Sequence, residues 1–159
     1  MKSEGKKGNK KMIIIGTIIG ISIAMIAHHF MTANDSSDYK IPSDINAYMK
    51  SCEHISYGDL KGKADTYAGK NIVEKGDVLQ VLKSDDSDWV NIRLGTKDIF
   101  SNVIYVVYDP AAAKEEVSYG DTVEVWGPYY GMYKYKSTTG DKVNIPRMDA
   151  YHVKIINKY

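Results

Sequence analysis

One uncharged run near the start of the chain limits what this sequence can fold into. Residues 12–33 read MIIIGTIIGISIAMIAHHFMTA and, with both histidines neutral, contain no charged side chain. An α-helix needs about 20 predominantly apolar residues to cross the hydrocarbon core of a bilayer. The run is long enough for this, so the sequence predicts a transmembrane helix over residues 12–33.

The charges beside this run predict its orientation. Residues 1–11 hold five of the 21 lysines and arginines of the chain but one of its 20 acidic residues. Loops rich in lysine and arginine stay on the cytoplasmic side of a membrane. We therefore expect a basic cytoplasmic tail over residues 1–11 and an extracytoplasmic C-terminal domain, in a single-pass protein of the cell membrane.

The same run also raises the questions of helix dimerisation and of signal-peptide cleavage. Gly16 and Gly20 lie on one face of the expected helix, and such pairs let two membrane helices approach closely, so a homodimer through this pair is a candidate partner. The alternative, which we favour, is that glycine is simply common in membrane helices. The run can also be interpreted as a signal peptide, and cleavage after Ala33 would then remove it from the mature protein. Met31 fits poorly at the third position before that cleavage site, and no cysteine follows closely as in a lipoprotein. An uncleaved anchor in the lipid bilayer is therefore favoured.

Residues 34–54 are predicted to be a linker followed by a short helix. The linker begins with the polar segment NDSSD over residues 34–38. A helix is expected between Asp44 and Cys52, with Ser43 or Asp44 as its N-cap. Its apolar positions Ile45, Tyr48 and Met49 would share one face.

Residues 55–159 are predicted to form the folded domain, and the pattern there is that of β-strands. Short helical turns come first, and apolar residues then alternate with polar ones from residue 71 onward. We expect five main strands, the last over residues 151–156, and an extra aromatic ribbon that turns at residues 139–141. This number of short strands favours a small barrel or a sandwich.

Two details favour a mainly β fold with a five-stranded OB-like barrel. The first strand is long and contains Gly76, where we expect a bulge or a bend that lets the strand serve both halves of a barrel. The run GDTVEVWG over residues 120–127 opens the fourth strand after a short connector. The full prediction is one N-terminal transmembrane helix, short helical turns, the OB-like barrel and the aromatic ribbon.

Several segments also resemble a known family. They are residues 55–60 (ISYGDL), 67–70 (YAGK), 75–81 (KGDVLQV), 90–94 (VNIRL), 103–108 (VIYVVY) and 133–146 (YKYKSTTGDKVNIP). In these segments the chain resembles the C-terminal OB-fold domain of TcdC-like membrane-anchored regulators of Gram-positive bacteria, and the last segment is the most specific. The acidic, lysine-rich coiled segment of that family is absent here. The resemblance implies an OB domain tethered to a membrane, with single-stranded nucleic acid or a transcription factor as partner.

The sequence offers no catalytic constellation, and no cofactor or metal site is predicted. The motifs of nucleophile elbows, zinc proteases and phosphate loops do not occur. Cys52 and His54 are two residues apart, and we interpret Cys52 as a structural thiol. Asp85, Asp86 and Asp88 begin a calcium-loop pattern that Trp89 and Val90 break, which favours a solvated turn. We therefore expect a protein that is not an enzyme.

A dense aromatic run gives the best binding hypothesis. Flat rings beside cations stack bases or sugars, and the connection between strands four and five borders the usual ligand face of an OB barrel. The predicted ligand-binding residues are Trp126, Tyr129, Tyr130, Tyr133, Tyr135, Lys134, Lys136, Arg93 and Tyr105. The alternative is that these rings pack the core, since tyrosine also suits strands.

The net charge of residues 34–159 favours a surface ligand over nucleic acid. Binding to phosphates is driven by lysine and arginine, yet residues 34–159 carry more acidic than basic side chains. The predicted function is therefore an extracytoplasmic, non-catalytic binding module for a cell-surface glycan, a peptide or a partner protein. The alternative is a TcdC-like tethered regulator that binds single-stranded nucleic acid or a transcription factor.

Overall fold

The computed structural model describes residues 14–15, 39–84, 87–98, 101–137 and 139–159. Most of the predicted span 12–33, with Gly16 and Gly20, lies outside these residues. Ile14–Ile15 form a two-residue strand, β1, which pairs antiparallel with Leu82 and Val81, so at these two positions the structure has a strand and not the predicted helix. Within the described ranges, no helix has the length and apolarity needed to cross a membrane.

Three short helices precede a sheet of long strands. The helices are α1 (Ile45–Ser51), α2 (Tyr57–Gly62) and α3 (Ala64–Tyr67), and a 3-10 turn, η1, covers Pro110–Ala112. The strands are β2 (Asn71–Ser84), β3 (Ser87–Asp98), β4 (Ser101–Tyr108), β5 (Thr122–Lys136), β6 (Lys142–Ala150) and β7 (His152–Asn157). The predicted helix near residues 44–52 is confirmed, because the Asp44 carboxylate caps α1 by accepting from the Ala47 amide at 2.9 Å.

Five strands close into a ring in the order β2, β3, β4, β6, β5 and back to β2. Neighbours in this ring are antiparallel except for β4 and β6, which are parallel. A closed five-stranded Greek key of this kind is an OB-like barrel. The predicted mainly β, OB-like architecture is thus present in the described residues.

Strand β2 serves both halves of the ring, and Gly76 marks the change of partner. Residues 71–76 pair with β5, and the rest of the strand pairs with β3. A Cβ atom on Gly76 would lie 2.2 Å from the carbonyl oxygen of Gly95, so a side chain is excluded there. The predicted bend is confirmed, while the bulge itself lies slightly further along, between Val78 and Gln80.

The end of the chain corrects the predicted strand order. Strand β6, and not residues 151–156, is the fifth member of the ring, because its residues 147–150 pair with β4. Strand β7 continues antiparallel along β5 after an interruption at Tyr151, whose amide donates to the Trp126 carbonyl at 2.8 Å. The expected extra ribbon is therefore the far half of the β5–β6 pair and not a separate element.

The core fills the ring from the inside. Alternate residues of each strand point inward and are fully buried, as the period of two requires. The members from the central strands include Val78, Ile92, Leu94, Ile104, Val106, Val123, Val125 and Met148. Leu60 of α2 joins this cluster, so the short helices cover one end of the barrel.

Residues 39–54, predicted as a linker and short helix, pack on the barrel. The Tyr39 ring meets Trp89 edge-on with centroids 4.5 Å apart and lies 5.0 Å from the Tyr151 ring. Its hydroxyl donates to the carbonyl oxygen of Ala150 at 2.6 Å. Glu53 forms a bridge to Ile72 at the start of β2. The chain is therefore held against the domain from Tyr39 onward.

Candidate functional site

The outward-facing side of the ring carries a second layer of side chains, here called the outer face. The register aligns Gln80, Arg93, Tyr105 and Arg147 in one row across β2, β3, β4 and β6. A parallel row contains Leu82, Asn91, Val107 and Asp149. Because side chains alternate along a strand, both rows lie on the same side of the sheet.

A one-residue bulge in β5 decides which of its aromatic rings reach this face. The register with β6 shifts between Tyr129 and Gly131, and Gly131 adopts a φ of 120°. An extra residue reverses the inward and outward alternation of the strand. Val123, Val125 and Tyr129 therefore point into the core, whereas Tyr133 and Tyr135 lie on the outer face with Tyr105.

Three tyrosines form the centre of the outer face. The rings of Tyr105 and Tyr133 stack with centroids 4.5 Å apart at 10°, and Tyr133 and Tyr135 are 5.6 Å apart. Tyr105 is 2% exposed, and the other two are half-buried. Burial raises the pKa of all three hydroxyls, which stay protonated at neutral pH and serve as neutral hydrogen-bonding groups.

Arg93 brings a positive charge to this cluster. Its Nη2 atom donates to the Tyr135 hydroxyl, and its guanidinium carbon lies 5.1 Å from the centroid of the Tyr135 ring. Burial lowers the pKa of Arg93, and the nearby ionisable groups that act on it are all tyrosines. Within the described ranges, no carboxylate forms an ion pair with Arg93, and its Nε atom is buried without a partner.

Arg147, across Tyr105 from Arg93, has a different environment. Its Nε atom donates to Asp149 Oδ1 at 2.9 Å and its Nη2 atom donates to Oδ2 at 3.4 Å. The guanidinium carbon also lies 4.1 Å from the centroid of the Tyr130 ring. Tyr130 is the bulged residue and is 56% exposed, so it covers this ion pair from the solvent side.

Two amide side chains on the outer face have buried polar atoms that are not hydrogen-bonded. They are Oε1 of Gln80 and both Oδ1 and Nδ2 of Asn91, with partners sought among the described residues. Asn91 is 0% exposed. A buried polar atom without a partner destabilises a fold by about 1–3 kcal/mol. The outer face therefore combines unpaired amides with an arginine that no carboxylate neutralises.

The predicted binding residues divide into three groups. Arg93, Tyr105, Tyr133 and Tyr135 come together as one cluster, and Tyr130 lies beside them over Arg147. Lys134 and Lys136 are exposed and alternate with the cluster residues along β5, so they project from the opposite side of the ribbon.

Trp126 and Tyr129 do not join the cluster. The bulge places Tyr129 in the core, where it is 0% exposed and its hydroxyl donates to the Leu60 carbonyl at 2.7 Å. Trp126 is buried between neighbouring strands, and its ring lies 5.4 Å from that of His152. The structure thus places both rings away from the cluster, Tyr129 within the core of the barrel and Trp126 buried outside both core clusters.

Sequence reasoning did not select Gln80, Asn91 or Asp149. One signal was available for Asn91, which stands inside the apolar strand segment WVNIRL. Strand alternation places it on the same side as Arg93, with Ile92 between them pointing inward. An amide and an arginine flanking a core isoleucine would have indicated a polar outer face.

The remaining predicted chemistry is structural in the described residues. Cys52 Sγ contacts the Tyr48 carbonyl oxygen at 3.5 Å, and burial raises the pKa of the thiol, which fits the structural interpretation. His54 Nδ1 lies instead 3.3 Å from Glu74 Oε2. No cluster of three possible metal ligands occurs in the part of the chain that the structure describes, and Asp85 and Asp86 lie outside it.

Comparison with known proteins finds distant structural matches, among them two tRNA synthetases. No family model and no curated protein matches the chain. Asparaginyl-tRNA synthetase from Pyrococcus horikoshii, complexed with asparaginyl-adenylate, aligns at 11% identity and a TM-score of 0.46 over 67% of this chain and 23% of the synthetase. Aspartyl tRNA synthetase from Entamoeba histolytica aligns at 10% identity and a TM-score of 0.47 over 90% of this chain and 29% of the synthetase. The chain thus spans less than a third of either synthetase, and similarity at this level does not bear on function.

Proposed function

We propose that this chain is a non-catalytic binding module whose outer face recognises a peptide segment of a partner protein. The observation that carries the proposal is the cluster of Arg93 with Tyr105, Tyr133 and Tyr135 next to unpaired amide groups. Arginine and tyrosine are enriched among the residues that dominate binding energy at protein interfaces. The amides of Gln80 and Asn91 add the donors and acceptors that a peptide backbone requires.

The arrangement of the rings favours a peptide over a base or a sugar. Stacking of a flat ligand needs a free ring face. Tyr105 and Tyr133 use ring faces on each other, and Tyr135 lies against Arg93. A ligand therefore gains more binding energy from hydrogen bonds to the guanidinium and the amides than from stacking on these three rings. The excess of acidic side chains in residues 34–159 also disfavours a phosphate backbone.

Membrane tethering and an extracytoplasmic position complete the proposal. They rest on the uncharged run 12–33, on the lysines in residues 1–11 and on the resemblance to TcdC-like anchored regulators. A helix over the whole run requires Ile14–Ile15 to separate from β2. A non-enzymatic role rests on the catalytic motifs that the sequence lacks. The proposed molecule presents its barrel to partners that reach the outer surface of the membrane.

The position of the barrel relative to the membrane gives a direct prediction. Intact cells that express the full chain with a C-terminal epitope are treated with a protease. We expect the epitope to be lost while a cytoplasmic marker protein survives, because the basic tail holds the N-terminus inside. Survival of the epitope in intact cells, followed by its loss after lysis, would contradict the extracytoplasmic position.

Peptide recognition is tested with the full chain in detergent micelles and a displayed library of random peptides. We expect Tyr133→Ala to weaken binding of the selected peptides by at least about thirtyfold, because interface anchors contribute about 2 kcal/mol or more. Tyr119→Ala is the matched control, since Tyr119 lies near the C-terminal Tyr159 and away from the outer face. The proposal is wrong if the library yields no binder, or if the two variants weaken binding equally.

A second candidate ligand, single-stranded nucleic acid, has one specific observation in its favour. Tyr130 is exposed, and its ring lies 4.1 Å from the guanidinium carbon of Arg147. An exposed ring beside cations can stack a base and contact its phosphate. Saturable binding of an oligo-dT probe that weakens steeply with salt, and that Tyr130→Ala abolishes, would favour this candidate over the peptide.

A further inference from the structure

Each of the two arginines of the outer face has a polar neighbour two residues away on its own strand, and these two neighbours differ. On β6, Arg147 and Asp149 flank Met148, and the two charged side chains form an ion pair. On β3, Asn91 and Arg93 flank Ile92 in the same alternating arrangement. Asn91 therefore occupies the position from which a carboxylate would neutralise the arginine, but it carries an amide.

This difference leaves a positive charge without compensation in a partly buried place. Arg93 has a phenolic oxygen of Tyr135 as its hydrogen-bond acceptor, and its Nε atom has none among the described residues. A desolvated charge destabilises a fold unless an opposite charge compensates it. The Nδ2 donor of Asn91, also buried and unpaired, lies on the same face of the strand. Two of the unpaired groups on this face, Arg93 Nε and Asn91 Nδ2, are donors that an anion satisfies, and two, Asn91 Oδ1 and Gln80 Oε1, are acceptors that N–H groups of a peptide satisfy.

We propose that Arg93 and Asn91 form a subsite for one carboxylate of the peptide ligand, a step that rests on the proposed function. A guanidinium presents two parallel N–H groups that match the two oxygens of a carboxylate. The carboxylate replaces the Tyr135 hydroxyl as the acceptor of the hydrogen bond from Arg93 Nη2, because a hydrogen bond between two charged groups is about twice as strong as one between neutral groups. Tyr135 moves aside near the end of the β5–β6 hairpin, and Oε1 of Gln80 accepts an N–H group of the same peptide.

The subsite is tested by NMR on the full chain in micelles with N-acetylglutamate, phosphate and chloride as probes. We expect the Nε–H resonance of Arg93 to shift saturably with N-acetylglutamate and more weakly with phosphate. A larger response to phosphate would assign the subsite to phosphate groups and overturn the carboxylate proposal. An equal response to all three anions would indicate charge screening, and it would also overturn the proposal.

Two variants separate a binding role of Arg93 from a structural one. Arg93→Gln is expected to weaken binding of the selected peptides by at least about thirtyfold, whereas Lys154→Gln on β7 leaves it unchanged. Asn91→Asp would place a carboxylate where Asp149 stands beside Arg147. It is expected to raise the thermal midpoint by about 2–4 °C and to abolish the response to N-acetylglutamate. A lowered thermal midpoint in both Arg93→Gln and Asn91→Asp would show that the guanidinium of Arg93 is structural and would overturn the proposal.

The outcomes also distinguish this subsite from the broader proposal. If selected peptides bind with the same affinity to the wild type and to Arg93→Gln, the subsite is wrong although peptide recognition stands. If the library yields no binder while N-acetylglutamate still saturates the Arg93 resonance, the subsite stands and peptide recognition is wrong.

Discussion

Replacing Tyr129 with alanine is expected to lower the free energy of unfolding by about 3–5 kcal/mol, the range for removal of a buried aromatic ring. The Tyr129 ring is fully buried in the core of the barrel. Its hydroxyl donates to the Leu60 carbonyl at 2.7 Å and so links β5 to the helix α2 that covers the barrel end. The alanine variant leaves a cavity and also an unsatisfied carbonyl group. Urea unfolding followed by circular dichroism measures the loss.

The next residue supplies the control. Tyr130→Ala is expected to change the free energy of unfolding by less than about 1 kcal/mol, because the ring is 56% exposed and contacts Arg147 from the solvent side. Tyr129→Phe keeps the ring and removes the hydrogen bond, for an intermediate loss of about 1–3 kcal/mol. Equal losses for Tyr129→Ala and Tyr130→Ala would contradict the bulge that separates the two rings.

The second large effect concerns pH and the buried carboxyl group of Glu74. This side chain is 3% exposed, and Oε1 has no hydrogen-bond partner among the described residues. Burial raises the pKa of Glu74 from 4.5 to about 7, although His54 at 3.3 Å opposes the rise. The folded state therefore holds a proton that the unfolded state has already released between these two pH values.

The sign of the pH dependence follows from this difference in proton binding. Where the folded state binds more protons, stability falls as the pH rises. We expect the free energy of unfolding to fall by about 3 kcal/mol between pH 4.5 and pH 8, with most of the change complete near pH 7. Unfolding in urea at several pH values measures this slope.

Glu74→Gln is expected to remove most of the slope and to be more stable than the wild type at pH 8. The amide has nearly the shape of the protonated carboxyl group and cannot ionise. Glu124→Gln is the control, since Glu124 lies less buried on β5. Parallel pH profiles for the wild type and Glu74→Gln would show that Glu74 is not the group responsible.

The local patterns of the sequence predicted the elements better than they predicted the site. Alternating apolar residues located the strands, Asp44 marked the start of α1, and Gly76 marked the point where β2 changes partner. Each of these features leaves a signal in the local sequence. The exchange of roles between β6 and β7 depends on contacts of β6 with β4, which are distant in sequence and leave no local signal.

The sequence predicted only some residues of the candidate site, and there is a physical reason why it missed the others. A single bulge at Tyr130 reverses the sides of every later residue in β5, and tyrosines on both sides of the bulge look alike in the sequence. Tyr133 and Tyr135 therefore reach the outer face, while Tyr129 does not. The significance of Asn91 appears only once β3 and β6 can be compared, because its meaning lies in the contrast with Asp149.

The contacts of Tyr39 with Trp89 and Tyr151 limit the distance that can separate the barrel from a membrane anchor. If residues 12–33 cross a bilayer as proposed, with Ile14–Ile15 separated from β2, residues 34–38 connect the membrane to the docked Tyr39. Five residues extend over at most about 18 Å, which is less than the width of a small domain. The barrel would then search a shallow layer above the lipid headgroups, and a partner would have to enter that layer, or be anchored in the same membrane, to be captured.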